Sequence, residues 1–583
     1  MQYIDDDIIK AATHMNYWHK YYLRKIKYKM DATLKVGPDD VPAFYFGENF
    51  FQNICPGIWV SLIEECNGSI NIGGYYTFSS YEGLSLIAKY CGMTYTAKTF
   101  HQKQRDIYFL GKPVLESKSF ILNIPYTDDG EIEFQIHSSE YGDFPTKLET
   151  CYSSRLRKHE GAFVLGDNSI IRRTDSKNIL SVAPFSLELL KECINKYVKS
   201  NFVHPHFEEE ISLLADYIKL YPNMSKRNIW LYMDRHDKAD DNAEHLFRYS
   251  ADINDGVERY FVVNKDSPDK NRLKKYGNIV DYGSREHKLL VLFAKKYITS
   301  NFDFLRQYPF GENDKIEIFQ ALVKSQFIFL QHGITKDDMS RYFDRLFKNF
   351  KLLITATPSE YNSIIDNESY GYTKNEVKLT GFARYDNLYS SPKKQIVFLP
   401  TWRNTLLSTR ELNHQYNEAF KYTEYFKALS EFINDIKLIE AAKKYDYELV
   451  FRPHPNVYAQ VEDFKLDNYI TLSPFETSYQ KIFADASIII TDYSSAIFDY
   501  AYLKKPVLYY HFDDGQYKKG YFDYETMGFG EILKAKDDLV SLVIEYIKSG
   551  CKMKEKYINR VDKYFLYKDK NNCKRIHEEI SKI

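Results

Sequence analysis

The chain has 583 residues, with 79 lysines and arginines against 80 aspartates and glutamates, so its formal net charge at pH 7 is −1. This length predicts about two to four domains, and the balanced charge gives no global field that would favour nucleic acid. No apolar run is long enough to cross a bilayer, the acidic start Met1–Asp7 is unlike a signal peptide, and seven scattered cysteines without zinc spacing favour a cytosolic chain with reduced thiols.

Residues 1–95 form a first region whose role the sequence leaves open. Within it, Tyr17–Lys29 is basic and aromatic. Such a segment suits a helix on an anionic membrane or on a polyanionic substrate, or a solvated helix that packs its aromatic face on the domain.

Residues 96–183 are predicted to be a β-rich accessory module. Short strand-like runs alternate there with Asp-Gly and Gly-Asp turns, which is typical of antiparallel hairpins and predicts a sandwich. The runs are Ser119–Ile124, Glu131–His137, Ala162–Leu165 and Ile170–Arg173.

The linker into the next domain is predicted to be helical over Ser186–Leu220. It contains His204-Pro205-His206, where the proline and the missing carboxylate–histidine partner favour a loop over a metal site. From about residue 225, strand-like runs alternate with amphipathic runs such as Glu286–Tyr297 and Glu424–Lys444. This alternation predicts parallel sheets with helices on both faces.

A break at Ser390-Ser391-Pro392 divides this half into two doubly wound, Rossmann-like domains, 184–385 and 386–583, the second with closing helices. Two such domains that face each other form one deep cleft. The predicted fold class is therefore α/β, with a β-rich module and the N-terminal region before the pair. The predicted strands are Ile229–Met233, Tyr260–Val263, Ile279–Tyr282, Phe327–Leu330, Leu352–Ala356, Val377–Thr380, Ile396–Pro400, Glu448–Phe451, Tyr469–Leu472, Ser487–Ile490 and Val507–Tyr510.

Polar clusters recur where these strands end, which is where a doubly wound fold binds its ligands. Arg384, Arg403 and Arg452 are suited to bidentate phosphate contacts. His332 and His454 can accept or donate a proton near neutral pH. The clusters are Gln331-His332-Gly333, Gly381–Asp386, Pro400–Arg403, Arg452–Pro455 and Thr491–Ser495.

The stretch Ser487–Tyr510 is predicted to form a strand, a polar turn, a helix over Ala496–Leu503 and a further strand. Ser494 and Ser495 stand where the helix begins, so they can cap it or leave its N–H groups to a phosphate. From this turn alone a cap without ligand is the simpler interpretation. The chain has no GxxxxGK[ST], GxGxxG, HExxH or GxSxG motif, which argues against P-loop, dinucleotide, zinc-protease and serine-hydrolase sites.

Taken together, these clusters resemble the CDP-glycerol:poly(glycerophosphate) glycerophosphotransferase family, the teichoic acid and capsule polyol-phosphate polymerases and primases. Asp240-Asp241-Asn242 and Phe247 are also similar to its first-domain pattern, while Gln331 stands where the family commonly has tryptophan. The resemblance covers about residues 225–535 and implies a GT-B-like fold. It implies transfer of a polyol phosphate from a CDP-activated donor to a hydroxyl of a polyol-phosphate acceptor, with release of CMP. Glycerol phosphate is the first candidate for the transferred group.

The resemblance also implies roles for individual residues. His332 would be the general base, and His454 with Arg452 would stabilise the pyrophosphate and the departing CMP. Asp492 would orient a serine or bind a donor hydroxyl, with helix capping as the alternative. For Arg384 and Arg403 the alternative to a phosphate or acceptor contact is a surface salt bridge. Implied donor or phosphate contacts are Thr401, Arg403, Thr491, Asp492, Ser494 and Ser495, and further acceptor or phosphate contacts are Gly333, Arg384 and Asp241.

The implied partners are CDP-glycerol or CDP-ribitol, a lipid-linked or oligomeric polyol-phosphate acceptor and a membrane surface, with no nucleic acid. No cofactor or metal is expected, and the implied location is the cytoplasm, peripheral on the inner face of the cell membrane. Two alternatives stay open. A glycosyltransferase of the same fold would release a nucleoside diphosphate from a nucleotide sugar, and a non-catalytic scaffold would only bind polymer.

Overall fold

The computed structural model describes residues 23–583, apart from 26, 31–32, 37–41, 54–56, 77–83, 110–111, 116–117, 152–153, 157–158, 177, 203–206, 304–307, 311–315, 404–415, 475 and 516–519. Most of Tyr17–Lys29 and all of His204-Pro205-His206 lie outside the described residues. The interpretations of these two segments therefore stay predictions.

The first part of the described chain is a β-sandwich. In strand Gly130–Ser138, the alternate residues Ile132, Phe134 and Ile136 are buried, as expected for a strand with one face in a core. One buried cluster takes side chains from the two larger sheets, which confirms the predicted sandwich. The strands are Thr33–Val36, Pro42–Phe46, Asn49–Asn53, Gly57–Cys66, Ser69–Tyr76, Leu84–Tyr90, Met93–Thr96, Lys98–His101, Ile107–Phe109, Lys112–Leu115, Lys118–Pro125, Gly130–Ser138, Gly142–Pro145, Lys147–Thr150, Phe163–Leu165, Ser169–Arg173 and Ile179–Pro184.

The sandwich begins well before residue 95, which corrects the predicted boundary between regions 1–95 and 96–183. Strand Ser69–Tyr76 pairs antiparallel with Lys118–Pro125 in one sheet. Strand Leu84–Tyr90 pairs antiparallel with Gly130–Ser138 in the other. Strands on both sides of residue 95 are thus hydrogen-bonded neighbours, and they cannot belong to separate modules.

The next domain contains a seven-stranded, all-parallel sheet. The spatial order of its strands is Asn278–Asp281, Glu258–Val263, Ile229–Met233, Lys296–Thr299, Gln326–Phe329, Leu352–Thr355 and Val377–Leu379. This order reverses direction beside Ile229–Met233, as in a Rossmann fold. Its helices are Leu187–Asn201, Glu208–Met224, Asn242–Ser250, Asp269–Leu273, Arg285–Phe293, Ile316–Leu322, Arg345–Lys348 and Pro358–Ile365.

The last domain repeats the pattern with a six-stranded, all-parallel sheet. Its strands lie in the order Ile470–Leu472, Glu448–Phe451, Gln395–Leu399, Ile488–Thr491, Val507–Tyr510 and Gly530–Leu533. The helices are Glu424–Ile433, Ile436–Tyr445, Tyr479–Asp485, Ile497–Tyr502, Tyr524–Met527, Lys536–Lys548, Glu555–Tyr564 and Asn572–Ser581. The predicted α/β class and the GT-B-like pair of Rossmann-like domains are therefore confirmed.

The final helix, Asn572–Ser581, returns to the first domain of the pair. The Nδ2 of Asn572 donates to Asp386 Oδ1 at 2.8 Å, and Arg575 Nε donates to the carbonyl of Thr380 at 2.9 Å. One buried cluster joins side chains of both domains, so this contact is part of a continuous core. No helix within the described part of the chain is both long and apolar enough to span a membrane.

Candidate active site

The carboxyl edges of the two parallel sheets face each other. Strand Gln326–Phe329 leads to Gly333 on one side, and strand Ile488–Thr491 leads to Ser495 on the other. A Cβ placed on Gly333 would lie 3.7 Å from the Oγ of Ser495, which is exposed. The small residue therefore allows the two domains to come close at this point, as a cleft between facing Rossmann-like domains requires.

His332 is the exposed member of a histidine–aspartate pair in this cleft. Its side chain is 80% exposed, and its Nδ1 lies 2.5 Å from Oδ2 of Asp241. A carboxylate only accepts hydrogen bonds, so Nδ1 carries the hydrogen, and in the neutral imidazole the lone pair is on Nε2. This is the tautomer that a general base needs.

Asp241 is held ionised by its neighbours. Its Oδ1 accepts a hydrogen bond from the amide of Asn242 at 2.8 Å and one from Nη1 of Arg384 at 2.7 Å. Burial alone would raise the pKa of Asp241, but Arg384 and His332 together hold it below its usual value. The sequence placed Asp241 among the acceptor or phosphate contacts, whereas the structure brings it under His332 as the group that orients the imidazole.

We expect Asp241→Asn to lower kcat by at least about tenfold, and by less than loss of the histidine itself. The asparagine can donate to Nδ1, which would move the imidazole hydrogen to Nε2 and remove the basic lone pair. Initial rates of product release between pH 5.5 and 9 test this, with Asp241→Glu as the conservative control. Equal rates for Asp241→Asn and the wild type would show that the pair has no orienting role.

Gln331 is buried inside the domain and supports the turn that carries His332. It is 1% exposed and has a φ of +62°, an uncommon left-handed conformation for a residue other than glycine. Its Nε2 donates to the carbonyl of Ile354 and to Oε1 of Glu360, both at 2.9 Å. Its own carbonyl accepts from Nδ2 of Asn242 at 2.8 Å. The glutamine that departs from the family pattern is thus a buried support of the turn.

Glu360 makes this support sensitive to pH. Its carboxylate accepts from the amides of Thr335 and Ala356, both at 2.7 Å. Burial raises the pKa of Glu360 from 4.5 to about 7, although those amide hydrogen bonds lower it. The folded protein therefore binds a proton between these two pH values that the unfolded chain has released.

The stabilisation linked to Glu360 should be complete below pH 4.5 and lost as the pH rises through about 7. The shift corresponds to at most about 3 kcal/mol. We expect the fall in Tm over this interval to be smaller in Glu360→Gln than in the wild type, as measured by calorimetry at a series of pH values. Parallel curves for the two proteins would contradict this assignment.

Arg384 is an interdomain ion-pair residue. Its Nε and Nη2 donate to Oδ2 and Oδ1 of Asp499 at 2.6 and 3.0 Å, while Nη1 donates to Asp241. Tyr385 OH also donates to Asp499 Oδ1 at 3.0 Å. The arginine is buried, so the alternative of a surface salt bridge is wrong, while its predicted phosphate or acceptor contact stays a prediction. Burial opposes its charge, but Asp499 and Asp241 raise its pKa above the usual value.

Asp492 and Arg403 belong to a buried network beneath the Thr491–Ser495 turn. Oδ1 of Asp492 accepts from the amide and the hydroxyl of Thr401 at 2.8 and 2.6 Å. Arg403 Nη1 donates to Asp492 Oδ2 at 2.9 Å, and its other side reaches Asp513 at 2.8 and 2.9 Å. These residues hold the turn in place, and Asp513 is a member that sequence reasoning missed.

The turn presents only some of the predicted hydroxyl groups to the cleft. Thr491 is buried, and its Oγ1 donates to the carbonyl of Leu399 at 2.6 Å. The helix Ile497–Tyr502 has Ala496 as its N-cap and no side-chain cap, so the interpretation of the serines as caps is wrong. Ser494 Oγ accepts from the amide of Ala496 at 3.3 Å, and Ser495 stays exposed opposite Gly333.

His454 and Arg452 follow strand Glu448–Phe451 in the last domain. Nδ1 of His454 accepts from the amide of Asn456 at 3.2 Å, and its ring stacks on Trp402 at 5.8 Å. The neutral imidazole then carries its hydrogen on Nε2, the opposite tautomer to that of His332. Arg452 is buried and donates to the hydroxyl of Tyr458 at 3.0 Å and to backbone carbonyls.

A search for metal sites found no group of three or more histidine, cysteine, aspartate or glutamate side chains that could hold an ion among the described residues. The polar groups described above include the His332–Asp241 pair, the imidazole of His454, the exposed Ser495 and the buried Arg452. Such a set suits the transfer of a charged group between oxygen atoms.

Comparisons with known proteins found relatives of this chain. The teichoic acid biosynthesis protein GgaB of Bacillus subtilis (strain 168) is 35% identical over 608 aligned positions, covering 100% of this chain and 66% of that protein. The ribitol-phosphate polymerase TarL of Staphylococcus aureus (strain NCTC 8325 / PS 47) is 26% identical over 232 residues, covering 36% and 38%. A structure of the wall teichoic acid polymerase TagF is 16% identical with a TM-score of 0.44, covering 64% of this chain and 97% of that one.

The chain spans about two thirds of the length of GgaB and 38% of that of TarL. GgaB is described as a minor teichoic acid biosynthesis protein. A family model matches residues 214–582, which is more than half of the chain and includes both Rossmann-like domains. This protein belongs to the CDP-Glycerol:Poly(glycerophosphate) glycerophosphotransferase family.

Proposed function

We propose that this protein transfers a polyol phosphate from a CDP-activated donor to a hydroxyl of a polyol-phosphate acceptor, releasing CMP, in teichoic acid synthesis. Glycerol phosphate is the first candidate for the transferred group. The observation that carries the proposal is the His332–Asp241 pair, whose basic nitrogen is exposed in the cleft between two Rossmann-like domains. The family match over both domains supports the choice of donor.

In the proposed reaction the acceptor oxygen attacks the phosphorus that carries the polyol. Its proton passes to Nε2 of His332, and the imidazolium that forms is stabilised by the carboxylate of Asp241 at Nδ1. A new O–P bond forms while the bond from that phosphorus to the bridging oxygen breaks. The electron pair leaves with CMP, so no oxidant or reductant is needed.

The opposite side of the cleft is suited to the leaving group. The Nε2–H of His454 is a hydrogen-bond donor, because the ring's other nitrogen accepts from Asn456. The buried guanidinium of Arg452, two positions before His454, adds positive charge on this side. Preorganised charge of this kind stabilises a departing phosphate without reorganisation during the reaction.

CDP-ribitol is the second candidate donor, and a lipid-linked oligomer is the proposed acceptor. A lipid-linked acceptor would bring the enzyme to the inner face of the cell membrane. Membrane attachment is proposed on the chemistry of the acceptor alone.

CMP release from the purified chain tests the proposal, with CDP-glycerol, CDP-ribitol or a UDP-sugar as donor and a short glycerol-phosphate oligomer as acceptor. We expect acceptor-dependent CMP release from a CDP-polyol, strongly reduced in His454→Ala. Release of a nucleoside diphosphate from a UDP-sugar would instead support the glycosyltransferase alternative. Polymer binding without turnover of any donor would support a scaffold.

A further inference from the structure

A large cavity lies outside the cleft. Its volume is about 750 Å³, and it is enclosed between strand Gly57–Cys66 of the sandwich and the first Rossmann-like domain. Asn228, Lys295, Ser325 and Lys351 line it, and each of them directly precedes a strand of the parallel sheet. The cavity is therefore at the amino edge of this sheet, whereas the cleft is at its carboxyl edge. Strands of four residues separate the two edges by about 13 Å.

The walls of this interface pocket are held together by contacts between the sandwich and the domain. Glu64 of the sandwich accepts from Lys351 and, at 2.8 Å, from Nδ2 of Asn349. Arg155 Nε donates to the carbonyl of Gln320 at 3.1 Å, and its Nη2 donates to the carbonyl of Ala321 at 3.0 Å. The pocket is thus a built part of the fold, and both modules are needed to form it.

The lining of the interface pocket carries an excess of positive charge. Six basic side chains line it against four acidic ones, counted within the described residues. The acids are already engaged: Glu64 with Lys351, Glu65 with the amide of Asn168, Asp167 with Lys324, and Asp255 with Arg259. Of the six basic side chains, Lys351 and Lys324 pair with these acids, Lys348 pairs with Asp303, and Lys296 donates to Gln326 and to a backbone carbonyl.

Arg155 and Lys295 are the other two basic side chains of the lining. Neither has a carboxylate within 4.0 Å in the part of the chain that the structure describes. Arg155 donates only to backbone carbonyls there, and burial lowers its pKa and that of Lys324. A cation whose surroundings disfavour its charge gains most from an anion placed beside it.

We propose that the interface pocket is a second acceptor site, which holds a phosphodiester segment of the polyol-phosphate chain behind the end that is extended in the cleft. The proposal rests on the proposed function for the identity of the acceptor. Phosphodiester groups match the unpaired cations. The tyrosine and tryptophan rings of the lining offer apolar surface to the polyol carbons, and its backbone and side-chain oxygens can bind hydroxyl groups.

Binding of a fluorescent glycerol-phosphate hexamer to the full chain, without any donor, tests this site directly. We expect Lys295→Glu to weaken binding about five- to tenfold, and added salt to weaken wild-type binding strongly. Lys548→Glu, which reverses an exposed lysine on helix Lys536–Lys548 of the other Rossmann-like domain, is the matched control and should bind like the wild type. Lys324→Gln gives a second, milder perturbation of the pocket.

Three outcomes would overturn the proposal. The first is equal binding of the hexamer by Lys295→Glu and Lys548→Glu, and the second is no binding by the wild type. The third is full displacement of the hexamer by CDP-glycerol, because the hexamer would then bind in the cleft. CMP and inorganic phosphate are tested in parallel, and a loss of CMP binding in Lys295→Glu would make the pocket a nucleotide site instead. CMP release with a single-unit acceptor should be unchanged in Lys295→Glu, so failure of this site and failure of the proposed transferase activity are distinguishable.

Discussion

Replacement of His332 by alanine is expected to lower acceptor-dependent CMP release by about 10²- to 10⁴-fold. The reason is that Nδ1 of His332 donates to the carboxylate of Asp241, which places the lone pair of the neutral ring on Nε2. Donor binding should be nearly unchanged, because the imidazole would act on the acceptor proton. Turnover and the Kd of CDP-glycerol, measured separately, check both parts of the expectation.

The chain offers a matched control in the sandwich. Nδ1 of His137 lies 2.7 Å from Oδ1 of Asp143, and the side chain of His137 is 49% exposed. His137→Ala removes the same kind of pair far from the cleft, so turnover should stay within about twofold of the wild type. Because His332 is exposed, its variant should fold normally. A His332→Ala enzyme that retains most of its turnover would remove the general-base assignment and leave the scaffold alternative.

The positions of His332 and His454 could be predicted because they depend on local order along the chain. A buried apolar run ends, a polar residue follows, and the parallel sheet brings such ends to one edge. Strands Gln326–Phe329 and Glu448–Phe451 behave in this way. Local patterns of apolar and polar residues are sufficient for this kind of prediction.

The partners of these residues could not be predicted, because they are distant in sequence. Asp241 meets His332 across 91 positions, and Arg384 meets Asp499 across 115. Nothing in the neighbourhood of Arg384 distinguishes an arginine that binds phosphate from one that is buried between two carboxylates. The sequence therefore did not predict that Arg384 and Arg403 belong to buried ion-pair networks, and their phosphate contacts stay predictions.

Two parts of the fold carried signals of different clarity. Asn67-Gly68 joins strands Gly57–Cys66 and Ser69–Tyr76 with φ values of 51° and 72°, the mirror-type turn that an Asn-Gly pair favours, and the predictions for residues 1–95 missed this local signal. Strand Lys296–Thr299 was not predicted, because its first two residues were assigned to the amphipathic run Glu286–Tyr297. The helix ends at Phe293, and both elements are largely buried, so periodicity alone does not separate them.

The second large effect is expected from Arg384→Met. This change leaves the carboxylates of Asp241 and Asp499 in a buried interface without their cation, which typically costs about 3–5 kcal/mol. The thermal midpoint of the two Rossmann-like domains should fall clearly, and turnover should fall with it because Asp241 loses the hydrogen bond and the charge of Arg384. Calorimetry and CMP release measured on the same samples check both effects.

Lys393→Met is the control, since it removes a pair with Asp485 in which the lysine is 58% exposed. Such a pair contributes about 0–1 kcal/mol, so its thermal midpoint should hardly move. Equal midpoints for the two variants would mean that Arg384 does not hold the domains together. A stable Arg384→Met protein with reduced turnover would instead limit its role to Asp241. Arg384 contacts Asp499 of one domain and, in the other domain, Asp241 beneath His332. If the closed arrangement of the cleft depends on this arginine, stability and activity should therefore decline together.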